Sequence, residues 1–147
     1  MLRSSRTEQK RTESRAYHLL VFSVGGRHLA VKTDEVGGIS TWNGCIPVPS
    51  RTPFVSAVVR QDDAVLPVFN LAGFLHVVVQ GDEPLCLTAK QRQGMMAICI
   101  DGEMPVLHTL EVSAIVPYRG RELNAVGSFL NGLDEIPIIS LAQLGNA

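Results

Sequence analysis

One motif occurs twice in this chain, about half its length apart: Leu66-Pro67-Val68-Phe69-Asn70-Leu71-Ala72 and Ile136-Pro137-Ile138-Ile139-Ser140-Leu141-Ala142. Each copy reads as a short apolar strand carrying one proline, then Asn70 or Ser140 at a helix N-cap, then Leu-Ala opening a helical turn. A second apolar run and a turn precede each copy: Val55 to Val59 before Asp62-Asp63, and Ala125 to Leu130 before Asn131-Gly132. A pattern stated twice in this way predicts two related β subdomains in one compact unit rather than one continuous sheet. Proline cannot donate to a ladder, so Pro67 and Pro137 are expected on edges or at bulges.

The length of 147 residues allows one domain with a real core, and 46% apolar content fits a folded chain. No apolar run approaches the roughly 18 residues of a membrane span, so the chain reads as soluble with no membrane insertion. A formal net charge of −1 makes no electrostatic case for nucleic acid. The charge is uneven, because residues 1–16 carry Arg3, Arg6, Lys10, Arg11 and Arg15 against Glu8 and Glu13, a net of +3 that leaves −4 for the rest. With a single leucine, this basic leader cannot pack stably and is expected to be disordered, with residues 17–147 forming the folded domain. It lacks the apolar segment of a secretory signal. A mobile tail is its simplest role, and contact with a membrane surface or a partner is the alternative.

Cys45, Cys86 and Cys99 form no C-x-x-C pair, and an odd count on a chain without an export signal points to a reducing cytosol. Within Met95 to Ile100, Cys99 reads as a small core residue. His18, His28, His76 and His108 lie far from one another and from the cysteines in sequence, so no metal site is expected.

Along the chain, Tyr17 to Val24 and His28 to Lys32 flank Gly25-Gly26 as a hairpin. Thr33-Asp34-Glu35 reads as a short helical turn carrying Val36 and ending at Gly37-Gly38, which would let Val36 and Ile39 share a face. Ile46-Pro47-Val48-Pro49 must be extended. Beyond Gln80 to Pro84, strands are expected at Leu85 to Thr88, Met95 to Ile100, Val112 to Val116, Ala125 to Leu130 and Ile136 to Ile139. No long amphipathic helix appears. An all-β fold follows, as small barrels or a sandwich, and barrel closure would remove exposed edges.

The string Phe54-Val55-Ser56-Ala57-Val58-Val59, followed by a turn and Ala64-Val65-Leu66-Pro67-Val68-Phe69-Asn70-Leu71, resembles the central signature of CheW-like domains, F-I-x-G-V-x-N-L-R-G-x-I-V-P-V-x-D-L. Ile98-Cys99-Ile100-Asp101 and Val126-Gly127 through Leu141 resemble the family's second half, so the likeness covers roughly residues 17 to 145. It implies two five-stranded, SH3-like β-barrel subdomains packed side by side, with the pseudo-repeat at residues 64–76 and 134–146. It also implies a non-enzymatic cytoplasmic adaptor, recruited to membrane-associated receptor arrays, that couples methyl-accepting chemoreceptors to the regulatory domain of a CheA-type histidine kinase. Recognition in such a module runs through strand edges and the cleft between barrels, with nearby charges selecting the partner.

The departures from that signature are concentrated in one place. Aligned without gaps from Ala57 to Leu71, N-L-R-G falls on Arg60-Gln61-Asp62-Asp63, so aspartates stand where arginine and glycine are usual. Val36-Gly37-Gly38-Ile39 resembles the family's V-x-E-I with Gly38 in the acidic position, and Asn70 replaces the usual aspartate. In the simpler reading Asp62-Asp63 is only a polar hairpin turn, to which aspartate is suited. In the other, a usual charge pair is absent and the face is rewritten for a different partner, at several kcal/mol against the original one. The partner surface inferred from the resemblance is Val36, Gly38 and Ile39 with Val58, Arg60, Asp62 and Asp63. Trp42, the only tryptophan, is expected either as an exposed interface anchor or as a cap on the first barrel.

No G-x-S-x-G, P-loop or H-E-x-x-H occurs, and Cys45 has no recognisable base nearby in sequence, so no catalytic residues and no cofactor are expected. The competing class is a divergent β-barrel module that binds a small molecule between its subdomains or a different protein partner. Aromatic residues do not cluster along any one strand, which weakens the case for a stacking ligand.

Overall fold

Short strands bounded by glycine, proline and aspartate turns make up most of the regular structure, as the spacing of those turn residues dictates. The structure is a computed structural model that describes residues 16–92, 94–120 and 123–144. The basic leader therefore lies outside the described residues except for Ala16, which begins the first strand. β1 (Ala16–Val24) and β2 (Arg27–Lys32) are followed by a 3-10 turn at Thr33–Glu35, then β3 (Val36–Thr41), β4 (Ile46–Pro47), β5 (Val55–Gln61), β6 (Ala64–Phe69) and the short helix α1 (Leu71–Leu75). The second half contains β7 (Leu85–Gln91), β8 (Gly94–Ile100), β9 (Val106–Glu111), a 3-10 turn at Val112–Ala114, β10 (Ala125–Asn131), β11 (Asp134–Ile139) and a last 3-10 turn at Leu141–Gln143.

The strands form two sheets, in the orders β10-β11-β2-β1-β9 and β3-β7-β8-β6-β5-β4, and neither is contiguous in sequence. The opening hairpin of each half has crossed into the sheet of the other half. β1-β2 joins β10-β11 where Ile138 runs parallel to Ala30, and β7-β8 joins β5-β6 where Val68 and Phe69 run parallel to Ala97 and Ile98. Apart from the two-residue β4, which makes the second sheet six-stranded, both orders are the same arrangement. A shift of 70 residues carries Val55–Gln61 onto Ala125–Asn131, Ala64–Phe69 onto Asp134–Ile139 and Val36–Thr41 onto Val106–Glu111. Even the ladder irregularity after Val55 recurs after Ala125.

Both sheets curl until their ends meet. In the first, His108 of β9 lies against Phe129 of β10, ring centroids 5.9 Å apart, although β9 and β10 are its opposite edges. In the second, the Gln61 side-chain amide of β5 donates to Ser40 Oγ of β3 at 3.3 Å. The described strands are thus two barrel-like units, in agreement with the expected all-β, two-subdomain fold.

Alternation explains the core. Along β1, Leu20, Phe22 and Val24 point one way and Leu19 and Val21 the other, and all are buried. The first set joins Leu87, Ala89, Met96, Ile98 and Ile100 of β7-β8 in a central layer between the two crossed hairpins. The second set faces Phe129, Ile136 and Ile138 inside the first barrel, while Cys86 and Ala97 face Val59 and Val68 inside the second. The near-continuous apolar runs of β1 and β8 therefore follow from burial on both faces. Full burial of each large aliphatic side chain contributes about 1.5–3 kcal/mol.

Polar ties cross the central layer. Asp101, just after β8 and 3% exposed, accepts hydrogen bonds from Ser23 Oγ at 2.7 Å, from the Gly25 and Gly26 amides at 2.8 Å each, and from the Gln80 amide at 2.7 Å. Gly25 and Gly26 are both left-handed, φ +63° and +81°, as a two-residue hairpin turn of this kind requires. A Cβ at Gly25 would also fall 2.4 Å from Cβ of Val77. Glu35 accepts from Ser140 Oγ and the Ala142 amide, both at 3.1 Å. Gln91 donates to the carbonyls of Leu141 and Leu144 at 2.9 and 2.8 Å.

Several local expectations are corrected. Val36, Gly38 and Ile39 lie on a strand instead of a helical turn, because the 3-10 turn stops at Glu35 and an irregular pairing between Val36 and Gly38 absorbs the paired glycines. Val112 to Val116 is not a strand: it is a 3-10 turn followed by one bridge from Val116 to Ser128. The strand there is β9, one step earlier. Pro67 and Pro137 lie inside their sheets, where the parallel ladder to the next strand begins one residue later, at Val68 and Ile138. Asn70 caps α1 by accepting from the Gly73 amide at 3.0 Å, whereas Ser140 gives its hydroxyl to the Glu35 carboxylate, a charge-assisted bond, and caps nothing.

Asp101→Asn keeps the shape but turns part of an acceptor into a donor facing buried N–H groups, and is expected to cost about 2–4 kcal/mol of stability at pH 7, read from urea unfolding. Burial raises the Asp101 pKa, but the four hydrogen bonds outweigh it and hold the carboxyl below the ordinary aspartate range. The stabilisation is therefore complete above about pH 4 and disappears as pH falls through the depressed value. The stability gap between wild type and Asp101→Asn should narrow in acid. A gap independent of pH would remove the carboxylate from this role.

Candidate interaction surface

Curling of the second sheet brings β5 across from β3, and Gln61 holds the seam. Besides donating to Ser40, its side chain accepts from Thr88 Oγ1 at 3.4 Å, and Thr88 is the ladder partner of Gly38. The chain of contacts Gly38, Thr88, Gln61 thus places the glycine of β3 near the tip of the β5-β6 hairpin. Beside the seam a cavity of about 310 Å³ is lined by Ser40, Trp42, Arg60, Gln61, Asp62 and Cys86, among others.

The sequence-predicted residues separate into two groups. Arg60, Asp62 and Asp63 are exposed at the hairpin tip, and Asp62 stands in the left-handed region at φ +54°, a conformation that aspartate tolerates better than most residues. Ile39 is 37% exposed on β3, and a Cβ added at Gly38 would meet nothing within 4 Å. Val36 and Val58 are half-buried: Val36 packs on the central core, and Val58 is held between Ile46 and Pro67. The fold brings Arg60 and Asp62 together around one cavity with Trp42, while Val36, Gly38, Ile39, Val58 and Asp63 do not line it.

Trp42 combines the two roles considered for it. Its backbone amide donates to the Pro84 carbonyl at 3.0 Å, and its half-buried side chain covers the cluster of Val59, Val68, Cys86 and Ala97 while also walling the cavity. Sequence reasoning missed Gln61, Ser40 and Thr88, whose importance comes only from closure of the sheet.

A second hollow lies between the two sheets. Phe54, Phe69 and Phe74 meet there with centroids 5.3–6.1 Å apart, facing Leu123, Ile139 and Leu144 across about 240 Å³. The rings come from a loop, a strand and a helix, so no single strand shows the cluster. Phe54 is half out in solvent and left-handed at φ +61°, an uncommon conformation for an aromatic residue, while its carbonyl accepts from the Asn70 amide at 2.7 Å. Among the described residues, Cys45 shares its cavity with Trp42, Pro47 and Cys99 but with no histidine, and no helix is long and apolar enough to cross a membrane.

None of the curated proteins matches the chain. Among solved structures, the scaffolding protein TtCheW from Thermoanaerobacter tengcongensis is similar, with a TM-score of 0.75 and 13% identity over 86% of each chain, a likeness of fold. The family model described as CheW-like domain matches residues 18–133, most of the described strands in both sheets, and the chain belongs to that family.

Proposed function

We propose that this protein is a non-enzymatic coupling adaptor of a chemosensory pathway, with residues 17–147 acting as its CheW-like domain. In this reading it links a methyl-accepting chemoreceptor to the regulatory domain of a CheA-type histidine kinase on the cytoplasmic side of a receptor array. Family membership supports the role in chemotaxis coupling. The observation that carries the choice of surface is the exposed tip Arg60-Gln61-Asp62-Asp63, fixed to β3 through Gln61 and set beside Trp42. Gly38, Ile39, Arg60, Asp62 and Asp63 form the partner-facing part, and Val36 and Val58 support it from beneath. Acidic groups here favour a partner whose facing patch is basic and disfavour one built for arginine at the same place.

A small-molecule module is the second reading, favoured by the phenylalanine-lined hollow between the sheets. A thermal-shift screen against metabolites tests it, since a ligand seated there must raise the melting temperature.

Two changes test the adaptor surface. Asp62→Arg with Asp63→Gly is expected to tighten binding to a conventional CheA-type regulatory domain at least about tenfold, by titration calorimetry at low salt. No gain would remove the specificity role from the tip. Gly38→Glu enters open space and should leave the unfolding midpoint nearly unchanged while altering affinity for the same partner. An altered midpoint with unchanged affinity would make Gly38 a packing residue. Pull-down of the full chain from its native host, with the Asp62/Asp63 variant as control, should recover a kinase or a chemoreceptor. Recovery of neither by a folded bait would overturn the adaptor reading.

A further inference from the structure

All three cysteines, scattered in sequence, converge around the single tryptophan. Cys45, in the stretch before β4, and Cys99, in β8, line one largely apolar cavity of about 340 Å³ together with Trp42 and Pro47. Cys86 is the ladder partner of Cys99 and lines the seam cavity with Trp42, Arg60 and Asp62. Trp42 is thus shared between the thiol cavity and the charged seam.

The three thiols differ in access: Cys45 is exposed, Cys99 half-buried and Cys86 buried. A dissolved oxidant meets Cys45 first. Cys86 and Cys99 face each other directly, at a Cα separation expected to be about 4.5–5.5 Å for antiparallel partners, within disulfide range. The Cys86 thiol is nevertheless buried, and burial pushes its pKa up, so a dissolved oxidant does not meet it first.

We propose that Cys45 is a site of reversible thiol oxidation, which closes a disulfide with Cys99 and pins residues 42–47 against β8. The oxidant is a hydroperoxide. The Cys45 thiolate attacks the peroxide oxygen, the O–O bond breaks, and the leaving alkoxide or hydroxide takes a proton, leaving a sulfenic acid. The Cys99 sulfur attacks the Cys45 sulfur, the S–O bond breaks, and the departing hydroxide leaves as water with the proton lost by Cys99. Two thiols lose two electrons and the peroxide gains them, giving one disulfide, one water and one alcohol or second water.

Burial first, then the Cys86 and Cys45 thiols and the Asp101 carboxylate, push the Cys99 thiol up to about 11. The second step is therefore slow at neutral pH and should accelerate about tenfold per pH unit up to that value. Pinning residues 42–47 moves Trp42, and with it the wall of the seam beside Arg60 and Asp62. That last consequence rests on the proposed adaptor surface, whereas the thiol chemistry does not.

The test uses the full chain, reduced and then treated with hydrogen peroxide. Remaining thiols are counted with N-ethylmaleimide, linkages are mapped by peptide mass spectrometry, and Trp42 emission is followed with excitation at 295 nm. The expected result is loss of two of three thiols, a peptide joining Cys45 to Cys99, and a change in Trp42 emission that dithiothreitol reverses. Cys45→Ser should abolish the change and Cys86→Ala should retain it. Three surviving thiols, a Cys86–Cys99 bond, a dimer joined through Cys45, further oxidation of Cys45 alone, or linkage without a change in emission would each overturn the proposal. If the linkage forms but leaves kinase-domain affinity unchanged, the adaptor surface is misplaced while the oxidation site stands.

Discussion

A buried carboxylate holds the two halves of this molecule in register. Asp101 has no cation beside it in the described structure, and its charge is held by a hydroxyl and three backbone amides, two of them from left-handed glycines. Burial of a carboxylate opposes ionisation, yet its pKa lies below the ordinary value, so the donors prevail over desolvation. Those donors come from the end of β1, the β1-β2 turn and Gln80, while Asp101 directly follows β8. The bond set therefore joins the tip of the β1-β2 hairpin to the open end of the β7-β8 hairpin, and the facing sides of the two hairpins form the central core. Because each hairpin belongs to the sheet of the other half, the sheets cannot slide apart without opening that core and stripping Asp101 of its partners.

The repeat was legible in the sequence and the crossing was not. Alternation and turn residues mark where strands begin and end, but a strand carries no label for its neighbour, and the two sheets differ from a contiguous fold only in pairing. The available hint was double-sided burial: a run such as Leu19 to Val24 is apolar on both faces because it separates two cores. β9 escaped notice because Val106 and Leu107 are both exposed, while His108 and Thr109 interrupt the pattern, so no clean period of two survives. Val112 to Val116 looked like a strand from its valine and isoleucine content, and its backbone turns instead.

The candidate surface was partly legible for the same reasons. Asp62-Asp63 announced a turn because aspartate is one of the few residues at ease there, and the turn is where the sequence placed it. Gln61 announced nothing. Its role depends on Ser40 and Thr88 arriving from two other strands, which only closure of the sheet provides. The phenylalanine hollow is similar, since Phe54, Phe69 and Phe74 come from three different elements.

Comparing the two halves separates what packing requires from what it leaves free. At a shift of 70 residues, Val59 corresponds to Phe129, Val68 to Ile138 and Leu71 to Leu141, and every one of these is buried and apolar. At the hairpin tips the correspondence breaks: Arg60 and Asp63 match Leu130 and Leu133, and those leucines are 69% and 102% exposed. Interior positions are held by the energy of burial, which a charge would forfeit, whereas an exposed tip residue can change at little cost to stability. The backbone duplication has therefore produced two tips of the same shape and different chemistry, one presenting Arg60, Asp62 and Asp63 and the other exposed Leu130 and Leu133 beside Asp134. A partner complementary to one is poorly matched to the other, so the molecule has two distinguishable ends despite its repeated fold.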